Sequence, residues 1–76
     1  MVFASQIMSA SNKIWKKYGW ESREDVDDTI LRDELIRRVP DMCNLNEKGF
    51  AILEDNNYHS EYRILRECQR IAAGDV

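Results

Sequence analysis

The first eighteen residues constrain the fold more than any other part of the chain. At 100° per residue, Phe3, Ala4, Ile7, Met8, Ala10, Ile14, Trp15 and Tyr18 gather on one arc, and only Ser11 interrupts it. Ser5, Gln6, Ser9, Asn12, Lys13, Lys16 and Lys17 fill the opposite arc. A stripe of this kind has to be covered, so residues 2–18 are expected to form a helix packed on other helices, with Phe3, Ile7, Ile14 and Trp15 in the core. Gly19 stands where a left-handed C-cap belongs, and the three lysines lie in the last turns, where they complement the helix dipole. Trp20 is expected to fold back on the helix end.

Downstream, Pro40 sets a hard limit. It pushes the preceding residue out of helical geometry, so a second helix, expected over 23–39, ends by Val39. Two caps compete for its start: Ser22 with Asp25 three positions on, or Asp27 just before Thr29. Leu31, Leu35 and Val39 form one row with Ile36 beside it, whereas Val26 and Ile30 fall elsewhere. The helix therefore either starts late or buries two faces. Residues 40–49 are a turn-rich connector. The apolar run Phe50–Leu53 fits a buried helical turn or a strand, and with no second strand to pair with it a short helix over 46–55 is expected. Ser60 is the expected N-cap of a last helix, 61–73, ended by Gly74. Tyr62, Ile64, Leu65, Cys68, Ile71 and Ala72 share one half of its wheel, and Arg63, Arg66 and Arg70 the other. These segments predict an all-α single domain, a small bundle of three to four helices with short connections.

With 76 residues, the chain buries only about 60% of the surface its unfolded form exposes. Partners are therefore an immediate question, and self-association is left open. Disorder is disfavoured by two Trp, three Tyr and two Phe, which supply apolar area. Cys43 and Cys68 are too few for the disulfide framework of a secreted mini-protein, so both are expected to be reduced and the chain cytoplasmic, in a host cytoplasm if the gene is viral. Neither a signal peptide nor the roughly 20 apolar residues of a membrane span is visible, so no membrane partner is expected.

Catalysis finds no foothold. His59 is the one histidine, in the polar stretch NNYHSE, and no partner residue is identifiable for it. An exposed or capping role is expected. Cys43, His59 and Cys68 match no zinc spacing, and Asp25, Asp27 and Asp28 lack the glycine and terminal glutamate of a calcium loop. Gly19, Gly49 and Gly74 are too scattered for a phosphate loop. No enzyme, metal or cofactor is expected.

Charge carries the remaining information. Residues 1–20 hold three lysines and no acid; residues 21–34 hold Glu21, Glu24, Asp25, Asp27, Asp28, Asp33 and Glu34 against Arg23 and Arg32; the chain as a whole is at −3. This acidic block suits docking on a larger protein with a basic surface, because acidic patches steer association toward basic ones and compete there with nucleic acid. In size and charge, though in no motif, the chain is similar to small accessory proteins of phages and mobile elements, such as anti-CRISPR or antirestriction proteins. That likeness implies an inhibitor or adaptor of a nucleic-acid-handling partner and assigns no residue a role. Trp15 and Trp20 are expected in the core, with one of them a possible anchor for a partner. The alternative is a helix-turn-helix DNA-binding regulator built from residues 46–73 and reading DNA with Arg63, Arg66 and Arg70. Against it stand an expected Arg63–Glu67 pairing, a net negative chain and a long polar turn over Asp55–Tyr62.

Overall fold

The amphipathic stripe at the N-terminus becomes helix α1, Ala4–Tyr18, and buries Ala4, Ile7, Ala10, Ser11 and Ile14. In the computed structural model, which describes residues 2–74, three further helices complete an all-α bundle: α2, Asp28–Arg38; α3, Glu47–Asp55; and α4, His59–Ala72. Short 3₁₀ turns, Arg23–Asp25 and Met42–Asn44, precede α2 and α3. Gly19 caps α1 in the left-handed region at φ 71°. Trp20 does fold back: its N–H bonds to Trp15 O at 3.0 Å, and its ring stacks on Tyr18 and meets Trp15 edge-on. Trp15 itself is half-buried.

Phe3 departs from expectation, at 61% exposed. It is the N-cap residue, with an extended backbone at φ −106°, so the phase of the helix does not reach it. Val2 takes the inward place instead, buried and paired with Leu45 in an isolated parallel bridge.

The expected second helix is divided, because both candidate caps are used. Asp25 accepts from the N–H groups of Glu21 and Ser22 and holds the 3₁₀ turn. Asp27 then accepts from Thr29 and Ile30 and starts α2 five residues later than residue 23. This helix packs against α1 on one side and α4 on the other, which explains its apolar residues on two faces. Leu31 and Leu35 are fully buried, while Ile36 remains 46% exposed.

Asn46 caps α3 by accepting from Gly49 N–H at 2.8 Å. At Gly49 a Cβ would lie 2.8 Å from Leu45 Cγ, so the first turn of α3 approaches the core more closely than any side chain allows. The run Phe50–Leu53 is helical, with Phe50 and Leu53 buried. Ser60 is not a cap: α4 begins at His59, and Ser60 sits buried within its first turn. The cause is a tight turn, in which Tyr58 N–H bonds back to Leu53 O and Asn57 adopts φ 66°.

Cys43 and Cys68 form a disulfide, with Cα atoms 5.6 Å apart, and so are not the reduced thiols expected from their number. The Met42–Asn44 turn packs on α4 and brings together two residues 25 apart in sequence. A loop of that length is worth roughly 3.5 kcal/mol in the chain-entropy account. The oxidised protein should therefore weigh two hydrogens less than the reduced chain by intact mass, and reduction should lower its unfolding free energy by up to about that amount in urea titrations. Ile14→Ala, truncating a fully buried side chain, should cost about 2–4 kcal/mol, whereas Phe3→Ala should stay within about 0.5 kcal/mol.

Candidate interaction surface

The acidic block separates into carboxylates with structural duties and carboxylates without. Asp25 and Asp27 are caps, and Asp28 is held by Arg63 of α4. Glu34 leaves the surface altogether. It is 5% exposed, lies on the same face of α2 as Leu31 and Leu35, and its Oε2 receives Lys17 Nζ and the Tyr18 hydroxyl, each at 2.7 Å. Arg38 Nε lies 3.7 Å from its Oε1. Expected as part of a partner-facing patch, Glu34 is instead the polar clasp between α1 and α2. The Lys17 and Tyr18 hydrogen bonds hold its carboxyl down at about 2, and the same contact raises the Tyr18 phenol. Asp33 lies apart, beside Arg32 on the groove between α2 and α4. What remains is a corner between α1 and α2 where Glu21, Glu24, Asp25, Asp27 and Asp28 are all exposed. The Tyr18–Trp20 stack, with ring centroids 5.2 Å apart, stands beside it.

The arginines of α4 are committed unevenly. Arg63 pairs with Asp28 across the bundle and not with Glu67 one turn away. Arg66 makes two 2.8 Å bonds to the carboxylate of Glu47, lies over the Phe50 ring at 3.9 Å and meets the Tyr62 hydroxyl at 3.2 Å. That bidentate bond holds Glu47 below the usual carboxylate range and raises Arg66. Arg70 alone of the three has no carboxylate within 4.0 Å among the described residues. The link between α3 and α4 is only Asn56–Tyr58, much shorter than the polar stretch suggests and of helix-turn-helix length. A recognition helix offers its N-terminal residues to base edges, however, and here Ser60 and Glu61 are buried.

Glu61 is the functional-looking residue that the sequence reading passes over. Its Oε2 accepts from the Ser11 hydroxyl and from Trp15 Nε1, the latter at 3.1 Å. The signal was available: Ser11 interrupts the apolar arc of α1, and Glu61 lies three and four residues before Ile64 and Leu65 on the buried face of α4. Ser11 is fully buried, which gives the pair an architectural task. His59 is half-buried at the start of α4. Among the described residues no group of histidine, cysteine and carboxylate side chains is arranged to hold a metal, and no helix is long and apolar enough to cross a membrane.

Compared with protein-family models, with curated proteins and with solved structures, the chain matches none. The depressed Glu34 carboxyl makes a prediction about acid stability. A folded value near 2 against an ordinary 4.5 means that its contribution is complete above about 4.5 and is lost as pH falls toward 2. In denaturant titrations across that window, Glu34→Gln should show a flatter loss of stability than the parent.

Proposed function

We propose that the protein is a non-catalytic interaction module that docks its α1–α2 corner on a larger partner with a basic surface, as an inhibitor or adaptor of a nucleic-acid-handling protein. The observation that carries this reading is the corner itself. Five exposed carboxylates fall within residues 21–28, with Arg23 the one cation among them. Two of the five cap the backbone that presents the rest, so the charge is held in place before any partner arrives. Preorganised charge of one sign speeds encounter with the opposite sign. The neighbouring aromatic pair supplies what charge lacks: Tyr18 is 41% exposed, and aromatic residues are the usual anchors of such interfaces. The likeness in size and charge to phage and mobile-element accessory proteins agrees with this reading. Cytoplasmic residence does not carry it, since the argument from free cysteines falls with the Cys43–Cys68 pairing.

A second reading, a helix-turn-helix regulator using Arg63, Arg66 and Arg70, has the three-residue turn in its favour. The ion pairs of Arg63 and Arg66 weigh against it.

Only Glu21 and Glu24 of the corner are without structural duties, which makes Glu21→Lys with Glu24→Lys the informative variant. Against the partner identified by pull-down, its association rate should fall about tenfold and lose salt dependence, with the circular dichroism spectrum unchanged. An unaltered rate would reject the corner as the docking surface. Duplex DNA binding that disappears with Arg63, Arg66 and Arg70 changed to Ala would promote the regulator.

A further inference from the structure

Helices α2 and α4 lie side by side and point the same way, and their outer residues match in three successive rungs. Asp28, in the first turn of α2, is held by Arg63 near the start of α4. One turn on, Arg32 and Glu67 line the same cleft. One turn further, Ile36 and Ile71 line a hollow of about 410 Å³ beside the Cys43–Cys68 disulfide, with the buried Met42 and Ile64 beneath. Residues four apart share a helix face, so each helix contributes one straight row, and all six residues are exposed. Ile71 is 66% exposed, and Ile36 stands across the hollow from it. The middle rung is charged but unspent. Among the described residues Glu67 has no lysine or arginine nitrogen within 4.0 Å, and Arg32 meets only its chain neighbour Asp33, at 3.6 Å.

We propose that this face binds a second copy of the chain, with the two-fold axis lying along the cleft. Rotation about that axis keeps every rung at its own height and exchanges the two rows, so that α2 of one copy lies over α4 of the other. Asp28 then meets Arg63 of the second copy, Arg32 meets Glu67 of the second copy, and Ile36 meets Ile71 of the second copy. Each contact occurs twice, as an isologous interface requires. Opposite charges meet at two rungs, which sets register, and four isoleucines close over the apolar hollows at the third. An axis across the cleft fails this test: through the middle rung it sets Arg32 on Arg32 and Glu67 on Glu67, and through the isoleucines it leaves both charged rungs unmatched. The match at all three rungs points to the chain itself rather than to a foreign helix. The rungs span about 12 Å along each helix, which places the interface at the small end of specific ones and makes the dimer a weak one. Apart from Asp28 the acidic corner lies outside this face, so the inference does not rest on the corner's role in docking.

The test is sedimentation of the intact, oxidised protein from about 10 μM to 1 mM, where small interfaces associate. The mean mass should climb from that of the monomer toward twice that value. Ile71→Asp, at a site exposed enough to keep the fold, should stay monomeric with an unchanged circular dichroism spectrum. Arg32→Glu alone sets two carboxylates together in both symmetry-related contacts, and Glu67→Arg alone sets two guanidinium groups together. Like charges placed in contact are costly, so each variant should dimerise at least about tenfold more weakly than the parent. Mixed in equal amounts, the Arg32→Glu and Glu67→Arg proteins should pair with each other at least about tenfold more tightly than either pairs with itself, because every contact then joins opposite signs. Rescue between chains cannot arise from repair of the fold within one chain. Glu21→Lys with Glu24→Lys should dimerise like the parent. A monomer at every concentration overturns the proposal and leaves the isoleucines to a foreign partner. So does a dimer that survives Ile71→Asp, or one whose two charge variants fail to pair when mixed.

Discussion

Glu61 Oε2 accepts hydrogen bonds from Ser11 and Trp15, both on α1 and about fifty residues earlier in the chain. Taking a carboxylate out of water costs several kcal/mol, and here no cation lies within 4.0 Å of it among the described residues. Two donors and the N-terminal dipole of its own helix offset that cost. Apolar contacts between two helices tolerate a slide of one turn; a buried carboxylate with two fixed donors does not, since any slide leaves it unsatisfied. The last helix is thereby set in register on the first. Other contacts follow from that register: Tyr58 OH reaches Asn12 Oδ1 at 3.0 Å, and Arg63 reaches Asp28.

A net charge of −3 describes this molecule poorly, because the fold sorts its charges into different uses. Five acids of the acidic block serve as caps or ion-pair partners, and one of those, Glu34, joins α1 to α2 from the interior. The α1–α2 hairpin is left with carboxylates at its connection, close to Lys16 and Lys17 in the last turn of α1, and with Arg37 and Arg38 at the far end of α2. The corner depends on the Glu34 clasp, which ties Lys17 and Tyr18 at the end of α1 to α2.

How much of this was legible varies residue by residue. Four helices, the Gly19 cap and the return of Trp20 follow from local rules, since periodicity and capping act within a few residues. The position of Phe3 was lost at a boundary: a wheel assigns it a face, but the N-cap lies outside the helix. The start of α4 was misplaced for a similar reason, because Ser60 has the right chemistry for a cap while the turn closed by Tyr58 and Leu53 leaves no room for one. Long-range pairings were a different matter. Nothing in the spacing of Cys43 and Cys68, or of Glu47 and Arg66, shows that the chain brings them together; only the packing of the bundle does. Ser11 and Glu61 fall between these cases, two polar residues out of phase with their own helices, each readable alone as an anomaly and intelligible only as a pair. The candidate surface was half legible: the acidic run is plain in the sequence, but which carboxylates are consumed depends on partners elsewhere in the fold.

The Cys43–Cys68 bond encloses α3 and the greater part of α4, and leaves α1 and α2 outside the loop. The bundle thus has a covalently closed half and an open half, joined by Ser11–Glu61, Trp15–Glu61, Asn12–Tyr58, Asp28–Arg63 and the Val2–Leu45 bridge. Partial opening of native proteins proceeds in cooperative units, and the easiest unit to release is the one with no covalent tie. Amides of α1 and α2 then exchange with solvent through a lower-energy opening than those of α3 and α4 as long as the disulfide holds. On reduction the difference narrows toward one global event. The acidic corner lies in the half that opens first.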